Sequence, residues 1–92
     1  MLKRIERYFK EGKLTVFPRK EKNKLDVLQY FVQLIESKGE GPFTEKEINA
    51  IISDVYGDYS TIRRALVDYG YLLRDDYGAA YRLNDAMAKT EE

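Results

Sequence analysis

Asp58-Tyr59-Ser60-Thr61-Ile62-Arg63-Arg64-Ala65-Leu66-Val67-Asp68-Tyr69-Gly70 runs directly into Tyr71-Leu72-Leu73-Arg74, and the hydrophobic period changes at Gly70. Before the glycine, Ile62, Ala65, Leu66 and Tyr69 recur at spacings of three and four, the stripe of an amphipathic helix. Asp58 or Ser60 is placed to cap its start, and Gly70 to end it in the left-handed conformation. After the glycine, Tyr71-Leu72-Leu73-Arg74 and Ala80-Tyr81-Arg82-Leu83 are short β-prone runs separated by Asp75-Asp76-Tyr77-Gly78. Asp and Gly favour a tight reversal, so the second half reads as a helix followed by a hairpin.

Working towards the N-terminus, Thr44 followed by Glu47 is a capping-box pattern, with Phe43 and Ile48 at the flanking staple positions. The helix it opens carries Ile48, Ile51, Ile52 and Val55, and Gly57 supplies a turn before the next helix. Upstream of the Gly/Pro loop from Ser37 to Pro42, Leu25, Leu28, Phe31, Val32 and Ile35 keep a helical period. Val27 and Leu34 widen that surface, which predicts a central helix with neighbours on two sides. Leu2, Ile5, Tyr8 and Phe9 predict one further short helix, stopped by Gly12, and Leu14 to Phe17 is a brief β-prone run ended by Pro18. Asn84 to Glu92 is small, polar and charged and predicts a frayed tail.

The expected architecture is therefore α+β and mainly α. It is a winged helix-turn-helix with a three-helix core, a C-terminal β-hairpin wing and an extra N-terminal helix. At 92 residues and 43% hydrophobic content the chain holds one core. The expected division is an N-terminal helix and linker over 1–16, the winged-helix domain over 17–83 and a flexible tail over 84–92.

Composition excludes several functions. With no Cys and no His, disulfides, thiolate chemistry and the usual zinc ligands are absent, and no metal or cofactor is expected. No acid pair, nucleophile–base pair or phosphate-binding glycine loop stands in a catalytic context, so the chain reads as a non-enzyme. No apolar stretch approaches membrane-spanning length, and the charged N-terminus lacks the form of a secretory signal, so a cytoplasmic location is expected. Net charge is zero, but residues 1–24 hold nine Lys/Arg against three acids, a balance of +6, and the remainder is −6. Such a field draws an anionic partner to one end only.

Several strings resemble the domain-of-unknown-function family 2087, a group found alone or attached to helix-turn-helix regulators. They are Phe17-Pro18-Arg19-Lys20 with Lys22 and Lys24, Phe43-Thr44-Glu45-Lys46-Glu47-Ile48-Asn49, Asp58 to Gly70, Leu72 to Arg74, Gly78 and Tyr81. The resemblance covers residues 17 to 82, with Arg63-Arg64-x-Leu66-Val67-Asp68-x-Gly70 its most specific part. It implies a winged-helix, regulator-like domain. The family lacks an assigned biochemical activity.

Two partner classes follow as expectations. For double-stranded DNA, the helix from Asp58 is the recognition helix, with Tyr59, Ser60 and Thr61 near phosphate at its start and Arg63 or Arg64 reaching a guanine. Lys20, Lys22 and Lys24 clamp phosphates beside it, and Arg74 flanks the wing, whose Asp75 and Asp76 repel them. Set against this, Arg64 and Asp68 form an i, i+4 pair, and Asp54 and Asp58 lie close to Arg63 in sequence, so both arginines can be solvated surface residues. For a protein partner or a homodimer, Ile5, Tyr8 and Phe9 form the candidate interface, continued by Val16. Among the aromatics, Phe31, Phe43, Tyr69, Tyr71 and Tyr81 fall on apolar faces or at caps and are expected in packing. Tyr59 and Tyr77 are the exceptions.

Overall fold

The computed structural model describes residues 3–77 and 80–85. Leu2, Gly78 and the tail from residue 86 onward lie outside the described residues. Among those described, three α-helices and two small antiparallel sheets form an α+β fold, and no helix is long and apolar enough to cross a membrane.

The central helix, α1 (Glu21–Glu36), buries Val27, Leu28, Phe31, Val32 and Ile35 and packs against both later helices and the N-terminal segment. Helix α2 (Glu45–Ser53) starts on the expected capping box. The Glu47 N–H donates to Thr44 Oγ1 at 3.0 Å, and the Thr44 N–H donates to Glu47 Oε1 at 2.9 Å. Phe43 and Ile48, on either side of it, are both buried. Thr44→Ala is expected to lower stability by about 0.5–2 kcal/mol, seen as a lower urea midpoint at unchanged slope. A loss below about 0.3 kcal/mol would mean that the cap hydroxyl contributes nothing here.

Helix α3 (Tyr59–Asp68) is capped by Asp58, whose carboxylate accepts from the Thr61 N–H at 3.4 Å and the Thr61 hydroxyl at 2.7 Å. Its end is the expected left-handed glycine: Gly70 has φ 86°, which costs a residue without Cβ nothing. The Tyr71 N–H then donates to the Leu66 carbonyl and the Gly70 N–H to that of Val67. This is the double bond pattern that closes the last turn, with the apolar pair Leu66 and Tyr71 beside it.

The predicted hairpin is present as β4 (Leu72–Arg74) and β5 (Ala80–Leu83), with Leu72 opposite Leu83 and Arg74 opposite Tyr81. A strand the periodicity does not reveal, β3 (Phe43–Thr44), pairs with the other edge of β5, so the sheet order is β3-β5-β4. Side chains alternate across this sheet. Leu72 and Tyr81 therefore face the core, while Leu73 and Arg82 are exposed on the far side. The tail was expected from Asn84, yet Asn84 is tied back, its N–H to the Tyr71 carbonyl and its Nδ2 to the Gly70 carbonyl, each at 2.9 Å.

The N-terminal segment departs most from expectation. In place of an α-helix to Phe9 there is a 3₁₀ helix, Lys3–Tyr8, followed by a small hairpin of β1 (Phe9–Lys10) and β2 (Lys13–Leu14). Gly12 is not a helix stop but half of the hairpin turn: Glu11 and Gly12 have φ 52° and 80°, the positive pair that a two-residue turn of this twist requires. The Leu14 N–H donates to the Val55 carbonyl at 2.9 Å, which pins β2 to the end of α2.

The candidate dimer residues lie against the chain's own core. Ile5 is 1% exposed and belongs to the main core. Tyr8 and Phe9 are half-buried against that core. The Tyr8 hydroxyl accepts from Asn23 of α1 at 3.0 Å, and the Phe9 and Tyr30 ring centroids stand 4.8 Å apart. Of the stripe, only Val16 stays exposed. The reason is geometric, since the reversal at Glu11–Gly12 folds the stripe back onto α1. Within this segment Ile5 and Leu14 belong to the main core, with Tyr8 and Phe9 packed against it.

Candidate functional site

At about 100° per residue, Arg64 lies roughly opposite the midpoint of the buried pair Ile62 and Leu66. It stands on the crest of α3, and Ser60, Thr61, Val67 and Asp68, one turn before or after it, complete that ridge. Two grooves run along its sides. One, of about 460 Å³, lies between α3 and the start of α1 and is lined by Phe17, Lys24, Thr61, Arg64, Ala65, Asp68 and Tyr69. The other, of about 310 Å³, lies between α3 and the hairpin, where Arg63, Arg64, Val67, Asp68, Arg74 and Tyr81 line it.

The fold thus brings Lys24, Arg64 and Arg74 from three separate elements to one face, with Arg64 on the divide. Lys24 is half-buried, its ammonium 5.7 Å from the centre of the Phe17 ring, a cation–π contact that steadies the stem. Arg74 projects on the side of β4 facing Tyr81 and α3.

The two adjacent arginines differ completely. Arg63, only 16% exposed at its side chain, donates from Nη1 to Asn49 Oδ1 at 2.5 Å and lies 3.7 Å from Glu45 Oε2. The Tyr81 hydroxyl donates to the other Glu45 oxygen, Oε1, at 3.1 Å. Arg63 therefore bridges α3 to α2 and, through Glu45, to β5. Arg64 is exposed and makes no hydrogen bond or ion pair with the described residues, so the expected pair with Asp68 is not formed. Asp54 and Asp58, the acids near Arg63 in sequence, are not its partners.

The remaining candidates are placed less closely. Lys20 and Lys22 are exposed at the start of α1, and Lys20 precedes the helix without a side-chain cap. They line neither groove. Their positive charges sit at the positive end of the α1 dipole, with the carboxylate of Glu21 in the same turn. Tyr59 is exposed at the first position of α3, Ser60 is half-buried, and the Thr61 hydroxyl is turned to Asp58. The aromatics divide as expected. Phe31, Phe43, Tyr71 and Tyr81 are buried, Tyr69 is half-buried against the core, and Tyr77 is 92% exposed. Sequence reading missed Glu45 and Asn49. They are an i, i+4 pair on α2, and nothing local distinguishes them from solvated residues.

No curated protein and no solved structure matches the chain. A family model does, over residues 13–83, which takes in β2 as well as the segment from Phe17 to Arg82 that carries the resemblance. The chain belongs to that family, described as "Uncharacterized protein conserved in bacteria (DUF2087)".

Proposed function

We propose that this chain is a DNA-binding winged-helix domain acting in transcription regulation, with α3 as its recognition helix. Three observations support the fold reading: three helices in sequence, a short turn between α2 and α3, and a hairpin after α3 that pairs with a strand preceding α2. The observation that carries the functional reading is the crest of α3 between two grooves with cations on both sides.

An α-helix with its side chains is roughly 10–12 Å across and fits the roughly 12 Å major groove of B-DNA. A ridge seated there has one phosphate backbone on each side. Lys24, with Lys20 and Lys22 beyond it, lies towards one backbone, and Arg74 lies towards the other. The acids Asp75 and Asp76 at the hairpin tip leave the wing outside the minor groove, so contact centres on α3 and the start of α1.

The test is fluorescence anisotropy of the full chain on a random duplex at about 50 and 200 mM salt. With four phosphates neutralised by Lys20, Lys22, Lys24 and Arg74, affinity is expected to fall about 150-fold over that range. Lys22→Ala is expected to weaken binding to all sequences and to reduce the logarithmic salt slope by about 0.9. Absence of binding at both salt concentrations overturns the DNA reading and makes a protein-interaction module the working assignment.

A further inference from the structure

We infer, resting on the DNA reading above, that Arg64 alone reads sequence and requires a guanine in the site, while Arg63 serves as an internal anchor that does not reach the bases. The chain offers two adjacent arginines of equal chemistry, and the tertiary structure separates them. One residue is about 100° around the helix, enough to put Arg64 on the crest and Arg63 on the flank facing α2.

The anchor role follows from a network that starts at the Arg63 guanidinium and links three elements. Arg63 holds Asn49 and Glu45 of α2, and Glu45 in turn accepts from Tyr81 of β5. Swinging Arg63 into a DNA groove would strip the Asn49 oxygen of its donor and detach α3 from the Glu45–Tyr81 pair. The rest of the crest does not supply a second cationic reader. Thr61 has its hydroxyl engaged by Asp58, Ser60 is short and neutral, Val67 is apolar, and Asp68 only accepts. Arg64 is the crest residue with a planar two-pronged donor, and it has no partner among the described residues to leave. That fork matches guanine, whose O6 and N7 are adjacent acceptors in the major groove.

The experiment is a site selection from a randomised duplex pool, followed by titration of the selected duplex and of the same duplex with its selected guanine replaced by 7-deazaguanine, which lacks the N7 acceptor, or by adenine. The full chain is expected to prefer the guanine duplex about 5- to 150-fold over the adenine one, the range set by one bidentate contact. It should also bind the 7-deazaguanine duplex more weakly than the guanine one. In Arg64→Ala that preference is expected to collapse to about 1, with weak non-specific binding retained. In Arg63→Ala, or in Asn49→Ala if the first variant does not fold, the guanine preference is expected to persist.

Retention of the preference in Arg64→Ala, or its loss in Asn49→Ala or in a folded Arg63→Ala, overturns the assignment. Binding of the wild-type chain to all duplexes without preference overturns this inference and leaves the DNA reading standing. Failure to bind any duplex overturns both.

Discussion

Ile5→Ala is expected to lower the free energy of unfolding by about 2–5 kcal/mol, the range for truncating a buried Ile where the surroundings do not fully collapse. Ile5 is 1% exposed and shares a core with α1 and the later elements. The side chain loses its transfer from water, and the neighbouring residues lose its contacts. A domain of this size has only about 5–15 kcal/mol in all, so the loss is a large share of its stability. Urea unfolding measures it as a lower midpoint at unchanged slope. Val16→Ala is the control: Val16 is exposed, and a change within about 0.5 kcal/mol is expected. An Ile5→Ala loss equally small would show that residues 3–16 are an appendage after all. The stripe of Ile5, Tyr8 and Phe9 would then be free for a partner, and light scattering would be the next measurement.

Tyr81→Ala is expected to cost about 3–5 kcal/mol, the range for truncating a buried aromatic. Tyr81 lies on the middle strand of the sheet, opposite Phe43 on one side and Arg74 on the other, and its side chain is almost wholly buried. The ring fills the space between sheet and helices, while the hydroxyl meets Glu45. Tyr81→Phe separates the two contributions. It removes only the hydroxyl, and because Glu45 is about half exposed its carboxylate can take water in exchange, so a loss of about 1 kcal/mol or less is expected. If the two variants lose equally, the hydrogen bond and not the packing holds β5, and Arg63 would be expected to matter as much as Tyr81.

Much of the fold was legible because it is set locally. The reciprocal bonds of Thr44 and Glu47 span three residues, and the closing turn at Gly70 involves Leu66, Val67 and Tyr71. Such signals survive in any tertiary context because their partners are fixed by sequence spacing. The helical periods around Phe31, Ile48 and Ile62 were equally plain, and they name the buried faces. The N-terminal stripe misled for the same reason in reverse. Ile5, Tyr8 and Phe9 fit a helical period, but so short a segment is held by what it packs against, and the turn at Glu11–Gly12 sends it back onto α1.

The candidate site was legible in composition and not in geometry. Lys24, Arg64 and Arg74 were visible as separate cations, and their arrival on one face depends on α1, α3 and β4 packing together. By itself the sequence determined the three helices, the caps of α2 and α3, the C-terminal hairpin and the basic first quarter of the chain, all of which rest on interactions within a few residues or on summed charge. Only the tertiary structure decided that β3 exists, since a two-residue strand forms only because β5 lies beside it. It alone decided that Ile5 and Leu14 belong to the core, with Tyr8 and Phe9 against it. It also separated Arg63 from Arg64, because the partners that hold Arg63 come from α2, with β5 joined through Glu45, and a contact between distant segments leaves no periodic trace in either one.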